Sequence, residues 1–163
     1  MKHNLICLLG KSGSGKSTIS DYLESKGYNI LQSFTTRNPR YAGETGHLFI
    51  TKEKFLEYQD NGDVVASTLF DGNFYGALRY QIIDSDIYVV DEAGLIELQE
   101  KMSDKVNIIP IYLDISYMTS IKHMRKRKDG WLKIFKRLRN DYKLFKNTKQ
   151  KCKYVIDANR NIN

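Results

Sequence analysis

The sequence has few cysteines and no long apolar run. Its two cysteines, Cys7 and Cys152, are too few for a disulfide framework, and no group of Cys and His residues has the spacing of a zinc site. No apolar stretch approaches the roughly 20 residues of a membrane-spanning helix. The apolar part of the N-terminal segment is only about five residues long and is followed by no small-residue cleavage site, unlike a secretory signal. We therefore expect free thiols, no membrane span and a cytoplasmic protein.

Prolines are also few, and linkers and internal repeats are absent. The chain has two prolines, Pro39 and Pro110, and its 163 residues suffice for one domain with a small insertion. Apolar segments that read as buried strands alternate with segments of helical period, which predicts a parallel α/β sheet flanked by helices. The predicted strands of this sheet are NLICLL, YNILQS, DIYVVD, VNIIPIYLD and KYVID.

The positive charge is concentrated near the C-terminal end. The net charge is +7, but residues 122–153 hold fourteen Lys and Arg against two acids, Asp129 and Asp141, a local balance of +12. Such a segment favours a polyanionic partner, either nucleotide phosphates or nucleic acid, and composition does not choose between them. Within it, six apolar residues recur at helical spacing and are expected to be core: Trp131, Ile134, Phe135, Leu138, Tyr142 and Phe145.

A glycine-rich segment, GKSGSGKS, lies between the first predicted strand and the first predicted helix. It fits the pattern G-x-x-x-x-G-K-[ST], in which backbone N–H groups and a helix N-terminus bind phosphate oxygens. Lys16 is expected to reach the β- and γ-phosphates of ATP, and Ser17 to supply an oxygen to Mg²⁺. The residues predicted to bind ATP are Gly10, Ser12, Gly13, Ser14, Gly15, Lys16, Ser17 and Thr18.

Asp91 ends the predicted strand DIYVVD. The carboxyl ends of parallel strands share one edge of a sheet, so Asp91 is expected near the glycine-rich loop. It could hold Mg²⁺ or contact a substrate, and it could equally cap the following helix; both roles are compatible.

Residues 33–47, SFTTRNPRYAGETGH, have neither a helical nor a strand period. Arg37 and Arg40 lie three residues apart around Pro39, and hydroxyl residues such as Ser33 precede them. Two forked guanidinium groups on a proline-stiffened turn suit a second anion site. Taken alone, the segment could also be a solvated loop with incidental arginines.

The loop GKSGSGKS followed by S-x-T-T-R-x-P-R and then G-E and G resembles the guanylate kinase family. The resemblance continues through NGDVVASTLFDGNFYG, DIYVVDEAG and the basic segment to YVID, and so covers essentially the whole chain. It implies that Mg-ATP binds the loop and that the γ-phosphoryl group passes to a nucleoside monophosphate. It also implies one domain over residues 1–163: a core of residues 1–33 and 81–163 with a lid at about 118–135, and an acceptor-binding insertion of residues 34–80.

The resemblance also assigns roles to individual residues. Arg127 and Arg137 match the arginines that close over the triphosphate, which makes Lys16, Arg37, Arg127 and Arg137 the predicted catalytic residues. The residues expected to bind the acceptor are Ser33, Arg37, Arg40, His47, Tyr75 and Asp91. Ser17 and Asp91 are expected to hold the metal.

Several positions depart from the family pattern. Ala66 stands where a glutamate usually pairs with guanine, and Ala77 replaces a small hydroxyl residue. His47 lies near the expected position of a second phosphate-binding tyrosine, and His123 stands where an arginine often covers the adenine. The phosphate-binding residues are thus retained while the base-reading residues are reduced.

These departures leave alternatives open. GMP or dGMP is the first acceptor to consider, but another (deoxy)nucleotide or a ribose bisphosphate is an alternative. A non-catalytic interaction module is disfavoured because Lys16 and Ser17 are present. A nucleic-acid-binding ATPase is disfavoured because no aromatic-interleaved strand surface accompanies the basic segment.

Overall fold

Two four-stranded sheets and seven helices make up the computed structural model, which describes residues 2–159. The strands are β1 (His3–Leu9), β2 (Ser33–Thr35), β3 (His47–Phe49), β4 (Val64–Phe70), β5 (Asn73–Leu78), β6 (Ile87–Val89), β7 (Val106–Asp114) and β8 (Tyr154–Asp157). The helices are α1 (Lys16–Glu24), α2 (Lys52–Asp60), α3 (Arg79–Asp84), α4 (Glu92–Met102), α5 (Tyr117–Lys126), α6 (Trp131–Leu144) and α7 (Thr148–Lys151).

The first sheet is parallel throughout, with the order β6-β1-β7-β8. The predicted parallel α/β sheet is therefore confirmed. Its carboxyl edge brings the loop after β1 next to Asp91, which follows β6. The prediction that residues 28–33 form a strand of this sheet is wrong, because Ile30 alone bridges to it, at Ile87, and Ser33 belongs to β2 of the second sheet. The amide of Asn29 is bonded to a carboxylate oxygen of Asp86 instead of a strand carbonyl.

The second sheet, β3-β2-β5-β4, lies within residues 33–78 and is mostly antiparallel. Strands β4 and β5 form a hairpin whose turn residues, Asp71 and Gly72, both have positive φ (53° and 77°). An Asp-Gly pair favours such a turn, because glycine and aspartate tolerate positive φ better than most residues. Asp71 and Gly72 therefore form the tight turn that this dipeptide favours.

One hydrophobic core joins the two sheets. Val65, Ala66 and Ala77 of the second sheet belong to the same buried cluster as Leu95 and Leu98 of α4. The cluster also includes strand residues of the first sheet, such as Leu5, Cys7 and Tyr112. Helix α4 thus fixes the position of β4 relative to the parallel sheet. Side chains at the end of β4 therefore lie near the carboxyl edge of the parallel sheet.

The inward face of α6 differs from the sequence prediction. Ile134 is buried and Phe145 packs on Tyr112, as expected of core residues. Trp131, Phe135 and Tyr142 are 55%, 64% and 61% exposed, however, so the prediction that they are core is wrong. The helix instead turns Ile134 and the polar residues Arg137 and Asp141 inward. Because these residues share one face at helical spacing, the aromatic residues lie on the other.

Both cysteines are free thiols, as predicted: Cys7 is buried and Cys152 is partly buried. Within residues 2–159, none of the helices combines the length and apolar character needed to cross a membrane.

Candidate active site

The loop between β1 and α1 leaves a helix N-terminus open to a ligand. Gly15 caps α1 with φ of 90°, a left-handed conformation that favours glycine. At Gly10 a Cβ would lie 2.8 Å from the carbonyl oxygen of Leu113, so a side chain does not fit there. The first amides of a helix have no partner within it, and they point toward the ligand side of such a loop. The motif therefore folds as an anion-binding loop.

Lys16 lies across the inside of this loop. Its Nζ donates to the carbonyl oxygens of Gly10 and Lys11, the latter at 3.0 Å, and lies 3.4 Å from Ser14 Oγ. Burial lowers the pKa of Lys16 to about 8, an effect that the nearby Asp141 partly opposes. An anionic phosphate would favour the charged form of Lys16 and offer its ammonium group a stronger partner than neutral carbonyls.

A cavity of about 840 Å³ opens above the loop. Its volume suits a nucleotide. Basic side chains from α5, α6 and the segment between them also line it: Lys126, Arg127 and Arg137. The lining residues are Ser12, Gly13, Ser14, Gly15, Lys16, Ser17, Thr18, Ile19, Leu113, His123, Lys126, Arg127, Arg137, Ile156, Asp157 and Ala158.

The two acids of the basic segment are both buried, and each contacts residues that line this cavity. Asp141 accepts from the backbone amide of Ser12 at 2.9 Å and from its hydroxyl at 3.1 Å. Asp129 pairs with Lys133 at 2.7 Å and lies 3.6–3.7 Å from Arg137 and Arg127. Burial alone would raise the pKa of Asp129, but these three cations outweigh it and lower the pKa. Asp129 Oδ2 thus lies near both arginines that line the cavity, without a hydrogen bond to either.

A second, smaller cavity of about 230 Å³ lies between the two sheets. Four residues predicted to bind the acceptor line it: Ser33, His47, Tyr75 and Asp91. Lys16 lines both cavities. The remaining lining residues are Ser67, Thr68, Phe70, Tyr88, Val89, Val90, Gly94 and Phe145.

Arg37 and Arg40 meet at one carboxylate, Glu44. Arg37 forms a two-pronged pair with Glu44 at 2.9 and 3.0 Å, and Arg40 contributes its backbone amide and a guanidinium nitrogen at 3.6 Å. The hydrogen bond from Arg37 is the main reason that the pKa of Glu44 falls to about 2. In turn, Glu44 and then Tyr75 raise the pKa of Arg37. Arg37 therefore has a fixed orientation next to Tyr75, a residue of the second cavity.

Arg40 is close enough to Arg137 of the larger cavity for their charges to interact. Burial lowers the pKa of Arg137, Asp129 raises it, and the charges of Arg127 and Arg40 lower it further. Arg40 belongs to the loop after β2, whereas Arg127 and Arg137 line the larger cavity. Like charges brought together in this way favour an anionic ligand between them.

His47 is hydrogen-bonded and neutral in this environment. Its Nδ1 pairs with Ser33 Oγ at 2.9 Å, and its ring lies edge-on to Tyr75 at 5.5 Å. Burial, followed by the charge of Arg37, lowers its pKa. Near pH 7 His47 can therefore offer a hydrogen bond to a ligand in the second cavity, but not a full charge.

The two residues predicted to hold Mg²⁺ line different cavities, Ser17 the larger and Asp91 the smaller. Ser17 is exposed in the first turn of α1. Asp91 caps α4 through Oδ1, which accepts from Gly94 N, while Oδ2 makes no hydrogen bond within residues 2–159. Residues 2–159 contain no cluster of three His, Cys, Asp or Glu side chains that could hold a metal by themselves. One hydroxyl and one carboxylate fit Mg²⁺ that takes its other ligands from water and nucleotide phosphates.

The remaining predicted site residues lie around the cavities and not in their walls. Gly10 is buried beneath the loop. The side chains of Arg37 and Arg40 form ion pairs with Glu44. Sequence reasoning did not assign roles to Glu44, Asp129 or Asp141. Asp129 and Asp141 could have been found from the sequence, because they are the only acids in residues 122–153. An isolated acid in a basic segment is a candidate ion-pair partner for its cations.

Comparisons with known proteins agree with this geometry. A family described as an AAA domain matches residues 6–151, so the chain belongs to this class of P-loop domains. The guanylate kinase of Wolbachia pipientis wMel is 31% identical over 162 residues, which cover 93% of this chain and 80% of that protein. The chain belongs to the guanylate kinase family.

Two further comparisons concern Anaplasma phagocytophilum. Its guanylate kinase (strain HZ) is 29% identical over 137 residues, which cover 77% of this chain but only 63% of that protein. A crystal structure of guanylate kinase from Anaplasma phagocytophilum superposes with a TM-score of 0.62 at 20% identity, covering 96% of this chain and 76% of that one. The structural match shows that the two chains share a fold.

Proposed function

We propose that this protein is an ATP-dependent nucleoside monophosphate kinase that converts GMP or dGMP to the diphosphate in the cytoplasm. The observation that supports this most directly is the position of Lys16, which lines both cavities. A donor nucleotide in the larger cavity and an acceptor in the smaller one would place their phosphates on either side of this ammonium group. The relatives favour this activity over the alternatives, because they are guanylate kinases.

On the donor side, the loop amides and Lys16 would bind the phosphates of ATP. Arg127 and Arg137 would exchange Asp129 for the phosphate oxygens, because a phosphate carries more charge and more acceptor oxygens than a carboxylate. On the acceptor side, Arg37 and Arg40 would orient the monophosphate, together with Tyr75 and neutral His47.

In the transfer step, an oxygen of the acceptor phosphate attacks the γ-phosphorus of ATP. The bond from that phosphorus to the β,γ-bridging oxygen breaks, and ADP leaves. The protein's contribution to such a reaction is positioning and stabilisation of charge on the phosphoryl oxygens. Lys16, Arg37, Arg127 and Arg137 are the proposed catalytic residues for this reason. Bound Mg²⁺, held through Ser17 and Asp91, would neutralise part of the phosphate charge.

The proposed activity can be tested by ADP release coupled to an oxidisable dye or cofactor. The protein is supplied with Mg-ATP and, in turn, each common NMP and dNMP and a ribose bisphosphate. We expect the fastest release with GMP or dGMP. If none of these acceptors raises ADP release above the rate with ATP alone, the protein is not a nucleoside monophosphate kinase. If ADP release is fastest with another acceptor, the kinase activity is supported and the assignment of GMP or dGMP as the acceptor is wrong.

The basic segment is expected to act as a lid that closes when phosphates neutralise it. Asp129 offers a single carboxylate to three cations, so most of the charge near residues 122–128 is left without an acid partner in residues 2–159. Hydrogen exchange across residues 118–140 should slow when a bisubstrate analogue joining the two nucleotides is added. The amino-terminal part of β7, residues 106–110, lies outside both cavities and is the internal control. Unchanged protection in 118–140 would contradict a lid.

A further inference from the structure

The wall of the second cavity contains a hydrogen-bonded chain that the proposed function does not use. Strand β4 contributes Ser67 to this wall. The hydroxyl of Ser67 lies 2.7 Å from Glu97 Oε2, and Glu97 Oε1 lies 2.6 Å from Lys101 Nζ. Lys101 also donates to the carbonyl oxygen of Val64 at 3.0 Å, which ties the end of the chain to β4.

Ala66, by contrast, does not reach the ligand space. Its side chain is fully buried in the core and is paired across the hairpin with Ala77. A ligand base in the second cavity would therefore meet Ser67, and not Ala66, on this strand.

The ionic state of Glu97 determines the direction of the hydrogen bond. Burial would raise the pKa of Glu97, but the hydrogen bonds from Lys101 and Ser67 outweigh it and lower the pKa. Glu97 is therefore ionised near neutral pH, and an ionised carboxylate only accepts hydrogen bonds. Ser67 has one hydroxyl proton, and it is used in the bond to Glu97. Toward the cavity the Ser67 oxygen can act only as an acceptor.

We propose that Ser67 reads the base of the acceptor and that Glu97 is its positioning residue. This inference rests on the proposed function. Guanine carries two adjacent donors, N1–H and the exocyclic 2-amino group, whereas adenine has an acceptor nitrogen and a C–H at these two positions. Ser67 lines the second cavity and offers one fixed acceptor to a donor of this guanine edge. A fixed acceptor at Ser67 thus favours guanine over adenine without a glutamate at position 66.

Binding of GMP and AMP to the intact protein, measured by calorimetry without ATP, tests this assignment. Ser67→Ala should weaken GMP binding about tenfold, because one guanine donor loses its partner in a desolvated site. AMP binding should change by less than about twofold. Ser67→Thr keeps the hydroxyl and should retain the preference for GMP. A merely structural role for Ser67 would weaken both nucleotides equally.

Glu97→Gln tests the positioning role. The amide of glutamine can donate to Ser67, which frees the hydroxyl proton to point into the cavity. The ratio of AMP to GMP dissociation constants should then fall by about as much as in Ser67→Ala. Glu57→Gln is the matched control, because it removes an equivalent pair with Lys54 on the exposed surface of α2, and it should leave the ratio unchanged.

The outcomes separate this inference from the proposed function. An unchanged AMP-to-GMP ratio in Ser67→Ala, or wild-type protein that binds GMP no better than AMP, would overturn the assignment of Ser67 while leaving kinase activity to the ADP-release measurement. If Ser67→Ala changes the ratio of AMP to GMP dissociation constants but the wild-type protein releases no ADP, Ser67 does read the base and the proposed kinase activity is wrong.

Discussion

Replacing Lys16 with alanine is expected to lower kcat at least tenfold while the protein stays folded. Among residues 2–159, Lys16 has the only charged side chain that lines both cavities. Loss of one charge contact to the transferring phosphoryl group should cost at least about 1.4 kcal/mol of activation free energy, which corresponds to a factor of ten. Binding energy at this position acts on the transition state, so the effect should appear in kcat and not only in KM.

The measurement must separate chemistry from folding. Without a ligand, Lys16 donates to Gly10 and Lys11, so alanine also removes hydrogen bonds within the loop. The same substitution removes a buried ammonium group, whose pKa is lowered by burial. Removing this poorly solvated charge partly offsets the loss of the hydrogen bonds. Thermal unfolding should therefore change little. Lys26→Ala, at an exposed position after α1, is the control for general loss of charge. A Lys16→Ala protein that keeps more than about a tenth of wild-type kcat would contradict the ATP-site assignment.

Features with a local sequence signal were predictable. The glycine-rich loop, most strand segments of the parallel sheet and the Asp-Gly turn each depend on residues that are close together in the chain. Thr51 was also predictable as a helix cap, and its side chain accepts from Lys54 N at 3.2 Å. In each case the backbone conformation or the burial pattern follows from neighbouring residues.

Contacts between distant residues were not predictable in this way. Ser12 is bonded to Asp141, and Ser67 to Glu97, across 129 and 30 positions of the chain. The exposure of the aromatic residues of α6 was not predictable either. A helical period predicts that apolar residues share one face of a helix, but not whether another element packs on that face. In α6 this face lies opposite a polar face, where Asp141 reaches the loop.

Arg37→Ala is expected to raise the KM for the acceptor strongly while ATP affinity stays near wild type. Arg37 and Arg40 are not equivalent: the side chain of Arg37 is 14% exposed and paired on two atoms with Glu44, whereas that of Arg40 is 60% exposed. Truncating one partner of a desolvated charge pair costs about 2–5 kcal/mol, and less at an exposed site. Arg40→Ala should therefore raise the same KM by a smaller factor.

Part of the Arg37→Ala effect should come from Glu44. Its pKa of about 2 depends first on Arg37, and the carboxylate stays ionised at neutral pH without that partner, so it would repel an acceptor phosphate. In Arg37→Ala/Glu44→Gln the repulsion is absent, and the acceptor KM should recover part of the way toward wild type. If the acceptor KM does not recover, repulsion by Glu44 contributes nothing, and the whole effect comes from the lost contact between Arg37 and the phosphate. Titrations in which Arg37→Ala loses ATP binding and keeps acceptor binding would reverse the assignment, because Arg37 would then serve the donor nucleotide.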